Sequence, residues 1–240
     1  MKLLWQNKFE DFELIRTSPL YYRCSVARDH QALNCYFFDN GLGITEMSFH
    51  IQDGQILTWG TAGNTKEHKA NYGKEHIPYH LECDDFVFGD YTISHYGQWG
   101  YVCRKNDTVV WKKSLKGYLY TDMILIQNNI VFGTSGQGGH FYSLNIDTGE
   151  IVFDFNTKGT SSFYQVHNSF YFCSAGNRST QIYRIDYSGN VLEVIEVEGV
   201  YYDGYSLFDR CDDLLCMITL KKIRKGTIEL FSPIFHCIQI

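Results

Sequence analysis

Ile130-Val131-Phe132-Gly133-Thr134, Phe141-Tyr142-Ser143-Leu144-Asn145-Ile146, Asp147-Thr148-Gly149-Glu150 and Ile151-Val152-Phe153-Asp154-Phe155 follow one another with little between them. The run reads as two apolar strands, a tight polar turn and a third strand closed by an aromatic residue. Related phrases return at intervals of roughly forty residues, the period of a propeller or a solenoid. Gln55-Ile56-Leu57-Thr58-Trp59-Gly60, Thr108-Val109-Val110-Trp111-Lys112 and Asn190-Val191-Leu192-Glu193-Val194 align with Glu150-Ile151-Val152-Phe153-Asp154 as outermost strands, matched by their closing aromatic or apolar residue. Each follows a hairpin signal: Asp53-Gly54, Asn106-Asp107, Thr148-Gly149 or Ser188-Gly189.

A further copy stands at the beginning of the chain, where Lys2-Leu3-Leu4-Trp5-Gln6-Asn7-Lys8-Phe9 matches Thr108 to Leu115 with nothing ahead of it. At the other end, Asp213 to Leu220, Thr227 to Phe231 and Phe235 to Ile240 read as strands without an outer partner, with Pro233 interrupting the pattern. The economical solution joins the two ends: the N-terminal strand completes the C-terminal blade and removes two sheet edges. The expectation is an all-β fold, a single β-propeller domain over residues 1–240. It has five blades, or six if residues 10 to 64 hold more than one unit.

Composition agrees. Aromatics make up 16% of the 240 residues, with 18 Tyr and 17 Phe, which suits pleated, half-buried strand surfaces. Only three prolines occur, and no low-complexity block marks a linker. The formal net charge of −6 gives no electrostatic reason to expect general affinity for nucleic acid or anionic lipid. Met1 to Asp11 turns polar and acidic after four residues and does not read as a signal peptide. Eight cysteines without any C-x-x-C spacing read as reduced thiols, so a cytoplasmic protein is expected.

The stretch from Gly133 through Phe153, with its Gly-rich loop, Tyr142-Ser143-Leu144-Asn145, Asp147-Thr148-Gly149-Glu150 and closing aromatic, resembles the pyrroloquinoline-quinone-type propeller repeat. The other units are similar to it more loosely. That resemblance implies the architecture and a place in the cofactor-free branch. The quinone-binding enzymes of the family carry adjacent cysteines, and no Cys-Cys pair stands in this sequence. No cofactor is therefore expected.

In a propeller the loops between blades share a face with the loops joining each second strand to the third. On that face the sequence places Trp99, Tyr118, Tyr120, Tyr164, Arg178, Tyr201, Tyr202, Lys222 and Arg224. Tyr, Trp and Arg on a rigid scaffold give large contact area for little lost entropy, so these residues are the candidate surface for a protein partner. A non-catalytic scaffold, toxin-neutralising (immunity-type) or part of a larger complex, is the expectation. The alternative is a five-bladed glycoside hydrolase or carbohydrate-binding propeller. For it the sequence offers Asp84, Asp85, Asp90, Asp203, Asp209, Asp212 and Asp213 without singling out a pair. His68, His76, His80 and Cys83 have residue types that zinc accepts, but Pro78 lies among them in a Lys- and Glu-rich stretch, and no metal is expected. The basic run Lys221-Lys222-Ile223-Arg224-Lys225 reads as a charged hairpin tip.

Overall fold

Short β-branched and aromatic runs, set off by Gly, Asn and Asp at intervals too short for helices, can satisfy their backbone groups only by folding back as hairpins. In the computed structural model every regular element among the described residues is accordingly a strand. The structure describes residues 1–9, 14–15, 22–26, 32–39, 43–61, 85–135, 138–158, 162–201, 207–225 and 228–240.

The strands are β1 (Lys2–Lys8), β2 (Leu14–Ile15), β3 (Tyr22–Val26), β4 (Ala32–Asp39), β5 (Gly43–His50) and β6 (Ile56–Thr61). Then come β7 (Asp85–Phe88), β8 (Tyr91–Tyr96), β9 (Gly100–Lys105), β10 (Thr108–Ser114), β11 (Tyr118–Leu119), β12 (Ile124–Ile126), β13 (Asn129–Ser135), β14 (His140–Asn145) and β15 (Ile151–Asn156). The last are β16 (Phe163–Val166), β17 (Ser169–Ala175), β18 (Ser179–Asp186), β19 (Val191–Glu198), β20 (Leu207–Cys211), β21 (Leu214–Lys225) and β22 (Ile228–Gln239).

These strands make five sheets, three of them simple meanders: β3 to β6, β7 to β10 and β16 to β19. A fourth runs β13-β14-β15, and its first position is filled in two pieces, β11 and β12, both on β13. In the fifth, β20, β21 and β22 are followed by β1. The expected partnership of the two ends is present: β1 pairs antiparallel with β22 from Lys2↔Gln239 to Lys8↔Ile234. Pro233, which lacks a backbone N–H, falls between this ladder and the β2 pairing at Leu14↔Phe231.

The hairpin signals are used as read. Asn106 and Asp107 take φ of 46° and 63°, the two positive values of a type I′ turn. Gly54, Gly149 and Gly189 take φ of 73°, 70° and 86°.

The outer strands share a further device. A register shift leaves one residue unpaired in β1 (Leu4), β6 (Leu57), β10 (Val110) and β15 (Val152). The residue after the bulge turns back toward the protein: Trp5, Trp111 and Phe153 are all buried. Each covers a turn glycine. A Cβ on Gly54 would fall 2.6 Å from Trp5 Cδ2, one on Gly149 2.8 Å from Trp111 Cδ2, and one on Gly189 2.7 Å from Phe153 Cβ. The two indoles also donate Nε1–H to a carbonyl of the hairpin they cover, Ile51 O and Ile146 O, both at 2.7 Å. In β6 the same register places Thr58 after the bulge, so the alignment of Trp59 with the closing aromatics is one residue out. Trp59 is 51% exposed and meets Phe9 edge-on at 5.1 Å.

Contacts gather the chain into two compact units, Met1–Ile77 with Gly176–Thr180 and Ile195–Ile240, and Pro78–Ala175 with Gln181–Val194. The first has its core in Trp5, Phe9, Met47, Phe49, Cys216, Phe235 and Cys237. The second has two aromatic cores, one with Tyr101, Trp111, Phe132 and Tyr142, the other with Phe141, Phe153, Phe170 and Phe172.

Candidate functional site

In the second unit the hairpin between β8 and β9 ends in Tyr96-Gly97-Gln98-Trp99-Gly100. Tyr96 lies over Gly100 so closely that a Cβ there would sit 2.4 Å from its Cε2, so any larger residue at this position would push the ring aside. Trp99 is fixed through its backbone, its carbonyl accepting from Leu115 N at 2.9 Å. Both side chains stay half outside, Tyr96 at 48% and Trp99 at 52% exposure. Behind them His95 packs against Tyr101 at 4.9 Å between ring centroids, and burial draws its imidazole below the usual value.

The segment after Leu115 continues this end of the unit. Lys116 N donates to the Tyr142 hydroxyl at 3.1 Å, and Thr134 Oγ1 donates to Lys116 O at 2.9 Å. Tyr118 pairs with Ser135 in the β11 ladder and is 44% exposed. Tyr120 donates its backbone N–H to Gly133 O at 3.0 Å, and Gly133 N donates to Thr121 Oγ1 at 2.8 Å. The Thr121 hydroxyl thus takes the place of a backbone acceptor for Gly133 where β11 gives way to β12. Beside them lies an open depression of about 360 Å³ lined by Thr121, Asp122, Ile124, Phe163, Tyr164 and Gln165. Four of the residues expected to bind a partner, Trp99, Tyr118, Tyr120 and Tyr164, thus belong to one hydrogen-bonded run and its adjoining hollow.

The others lie in the first unit. Arg178 is exposed, and its carbonyl accepts from Gly199 N at 3.1 Å. Lys222 is exposed on β21, and Arg224 is in register with Glu229. Tyr201 is only 6% exposed, drawn inward where its backbone N–H donates to Thr180 Oγ1 at 2.9 Å, so its ring offers little surface to a partner. Tyr202 lies outside the described residues. So do His68, His76, His80, Cys83, Asp84 and Asp203; among the described residues no three His, Cys, Asp or Glu side chains converge as metal ligands. Asp85 at the start of β7, Asp90 in the turn after it, and the neighbouring Asp212 and Asp213 in the turn between β20 and β21 are all exposed.

Sequence reasoning missed one pairing. His140 is buried, stacks on Tyr142 at 5.2 Å with planes 7° apart, and joins its Nδ1 to the Asp154 carboxylate. The two residues sit diagonally on adjacent strands, since His140 opposes Asn156 and Tyr142 opposes Asp154, a relation that only the register reveals. Burial also pushes the Tyr142 hydroxyl up to about 12 and the Tyr101 hydroxyl above its usual value, so both phenols are neutral. Among the described residues that line the hollow, Asp122 supplies the one carboxylate.

No protein-family model matches the chain, and no curated protein matches it. Among solved structures it is similar to BamB from Moraxella catarrhalis, with 10% identity over 87% of this chain and 55% of that one, at a TM-score of 0.41. It is similar also to the computationally designed Ika4 protein, with 11% identity over 61% of this chain and 87% of that one, at a TM-score of 0.38. The WD40 β-propeller domain of Doa1 shares 10% identity over 90% of this chain and 78% of that one, at a TM-score of 0.37. The chain spans about half the length of the BamB chain.

Proposed function

We propose that the chain is a five-bladed β-propeller of a single domain, its ring closed by β1, and that it is a non-catalytic scaffold that binds a protein partner. The observation that carries this reading is the aromatic run of the second unit. Tyr96, Trp99 and Tyr118 stand on backbone tied down by hydrogen bonds, and Tyr96 also lies against Gly100, yet each leaves about half its surface in solvent. Aromatic side chains immobilised before binding lose little entropy when a partner covers them, which is what makes Trp and Tyr frequent binding hot spots. Tyr120 and Tyr164 extend the same run, and Arg178, Lys222 and Arg224 supply cations elsewhere on the scaffold. A toxin-neutralising or complex-organising role in the cytoplasm is the narrower form of the proposal, favoured by the lack of a motif for catalysis.

A second reading rests on the hollow beside Tyr164. An aromatic wall from Phe163 and Tyr164 with Asp122, Gln165 and Thr121 at hand could also stack and hydrogen-bond a sugar. The two readings separate in one experiment. Tagged protein is purified from its native host beside the Trp99→Ala/Tyr118→Ala and Tyr164→Ala variants, and the same samples are assayed for binding and hydrolysis of oligosaccharides. A stoichiometric protein partner that disappears with the double variant supports the scaffold. Sugar binding or turnover that disappears with Tyr164→Ala, and no partner, overturns it.

A further inference from the structure

Among the buried cysteines, Cys103 stands opposite Ile93 on one side and Trp111 on the other, so apolar side chains flank it across both ladders. The hairpin of β21 and β22 is different. Cys216 and Cys237 are direct register partners, neither is in a disulfide, and both are wholly buried in the core that contains Trp5, Met47 and Phe235. Directly opposed residues of antiparallel strands have Cα atoms about 4.5–5.5 Å apart. A disulfide spans about 4.4–6.8 Å between Cα atoms, so the bond requires rotation of the side chains rather than movement of the strands. The Cys216 thiol donates to the Cys237 sulfur, and this contact holds the Cys237 thiol below its ordinary value although burial acts the other way.

We propose that Cys216 and Cys237 are a redox site: a dithiol that hydrogen peroxide converts to an intrachain disulfide and that a small thiol reductant restores. In the first step the Cys237 thiolate attacks one peroxide oxygen, the O–O bond breaks, and Cys237 becomes a sulfenic acid while the other oxygen leaves as water after taking up a proton. In the second, Cys216 sulfur attacks Cys237 sulfur, the S–O bond breaks, and the sulfenic oxygen leaves as a second water with the Cys216 proton. Two thiols lose two electrons in total and one peroxide gains them. Access comes through local opening of the hairpin, for which peroxide is small enough. The product staples β21 to β22, the strand on which β1 and β2 both rest.

The backbone holds a second register pair, Cys24↔Cys35 of β3 and β4, which the test must keep apart. Native protein with Cys24→Ser and Cys35→Ser, and the unsubstituted chain beside it, is treated with hydrogen peroxide, alkylated and digested with trypsin and Asp-N. Trypsin separates Cys216 from Cys237 at Lys221, and Asp-N separates Cys216 from Cys211 at Asp212. The expected result in both proteins is a linked peptide pair containing Cys216 and Cys237, a loss of two alkylatable thiols, and recovery of both with dithiothreitol. Cys216→Ser should trap Cys237 as a sulfenic acid that dimedone labels. Recovery of both residues as free thiols, or linkage of either to another cysteine, overturns the proposal. The unsubstituted chain decides the matter by peptide mapping alone if the serine variant does not fold.

Discussion

The outer strands β6 and β10 carry the same bulge and finish differently. In β10 the residue after the bulge is Trp111, buried over the glycine of the next hairpin and hydrogen-bonded to it. In β6 it is Thr58, exposed, and the tryptophan comes one residue later with half its surface in solvent. The contrast shows that the tryptophan standing directly after the bulge is buried, while the one a residue further on stays half outside. A period-two pleat reverses its faces at every residue, so an aromatic displaced by one position cannot reach the place it would otherwise fill.

The widest gap between the two strands should come from deleting the side chains themselves. Trp111→Ala removes a buried indole and leaves its space open, a loss of about 3–5 kcal/mol. Denaturant unfolding monitored by circular dichroism should show the midpoint falling while the slope stays unchanged. Trp5→Ala should match it, because Trp5 makes the same hydrogen bond and covers Gly54 in the same way. A loss below about 1 kcal/mol at both positions would mean that the buried indoles do not hold these hairpins.

Gly149→Ala attacks the same joint from the other side. With φ at 70° and a Cβ 2.8 Å from Trp111 Cδ2, alanine meets both backbone strain and a collision. About 1–3 kcal/mol is expected from the strained backbone. Adding Trp111→Ala should remove the collision but leave the strain, so the double variant should cost less than the two single losses together. Strict additivity would show that ring and glycine do not touch in solution.

Much of this joint can be read in the residues before any coordinates. Asn106-Asp107 and Thr148-Gly149 announce their turns because few other residues take positive φ. The pairing of β1 with β22 is legible because Leu3-Leu4-Trp5 repeats Val109-Val110-Trp111, the pattern of an outer strand. What escapes the sequence depends on register or on a single long-range contact. Thr58 was hidden by its tryptophan neighbour, His140 and Asp154 by their diagonal relation, and the bond from Gly133 N to the Thr121 hydroxyl by its place between β11 and β12. The candidate site divides along the same line. Trp99 and Tyr118 lie on turns and strand ends that must be near the surface, and they are exposed; Tyr201 follows a similar pattern but is drawn in by Thr180.

Trp111→Phe narrows the comparison to one hydrogen bond. The ring still covers Gly149, but Ile146 O loses the indole donor at 2.7 Å. About 1–2 kcal/mol should be lost, mostly as the cost of leaving that carbonyl unpaired. Phe153 covers Gly189 without any N–H, so a phenyl ring alone is compatible with such a joint and Trp111→Phe should still fold cooperatively.

The smallest effect belongs to Thr58. Its exposed side chain buries no apolar surface for alanine to lose, so Thr58→Ala should stay within about 0.5 kcal/mol of the parent protein. Trp59→Ala is the companion measurement, since Trp59 keeps its edge-on contact with Phe9 and should cost more than Thr58→Ala while remaining well below Trp111→Ala. Unfolding free energies in the order Trp111, Trp59, Thr58 would establish that an aromatic contributes most to an outer strand where it directly follows the bulge. If Trp59→Ala proved as damaging as Trp111→Ala, the register assigned to β5 and β6 would have to shift by one residue, with Trp59 turned into the core.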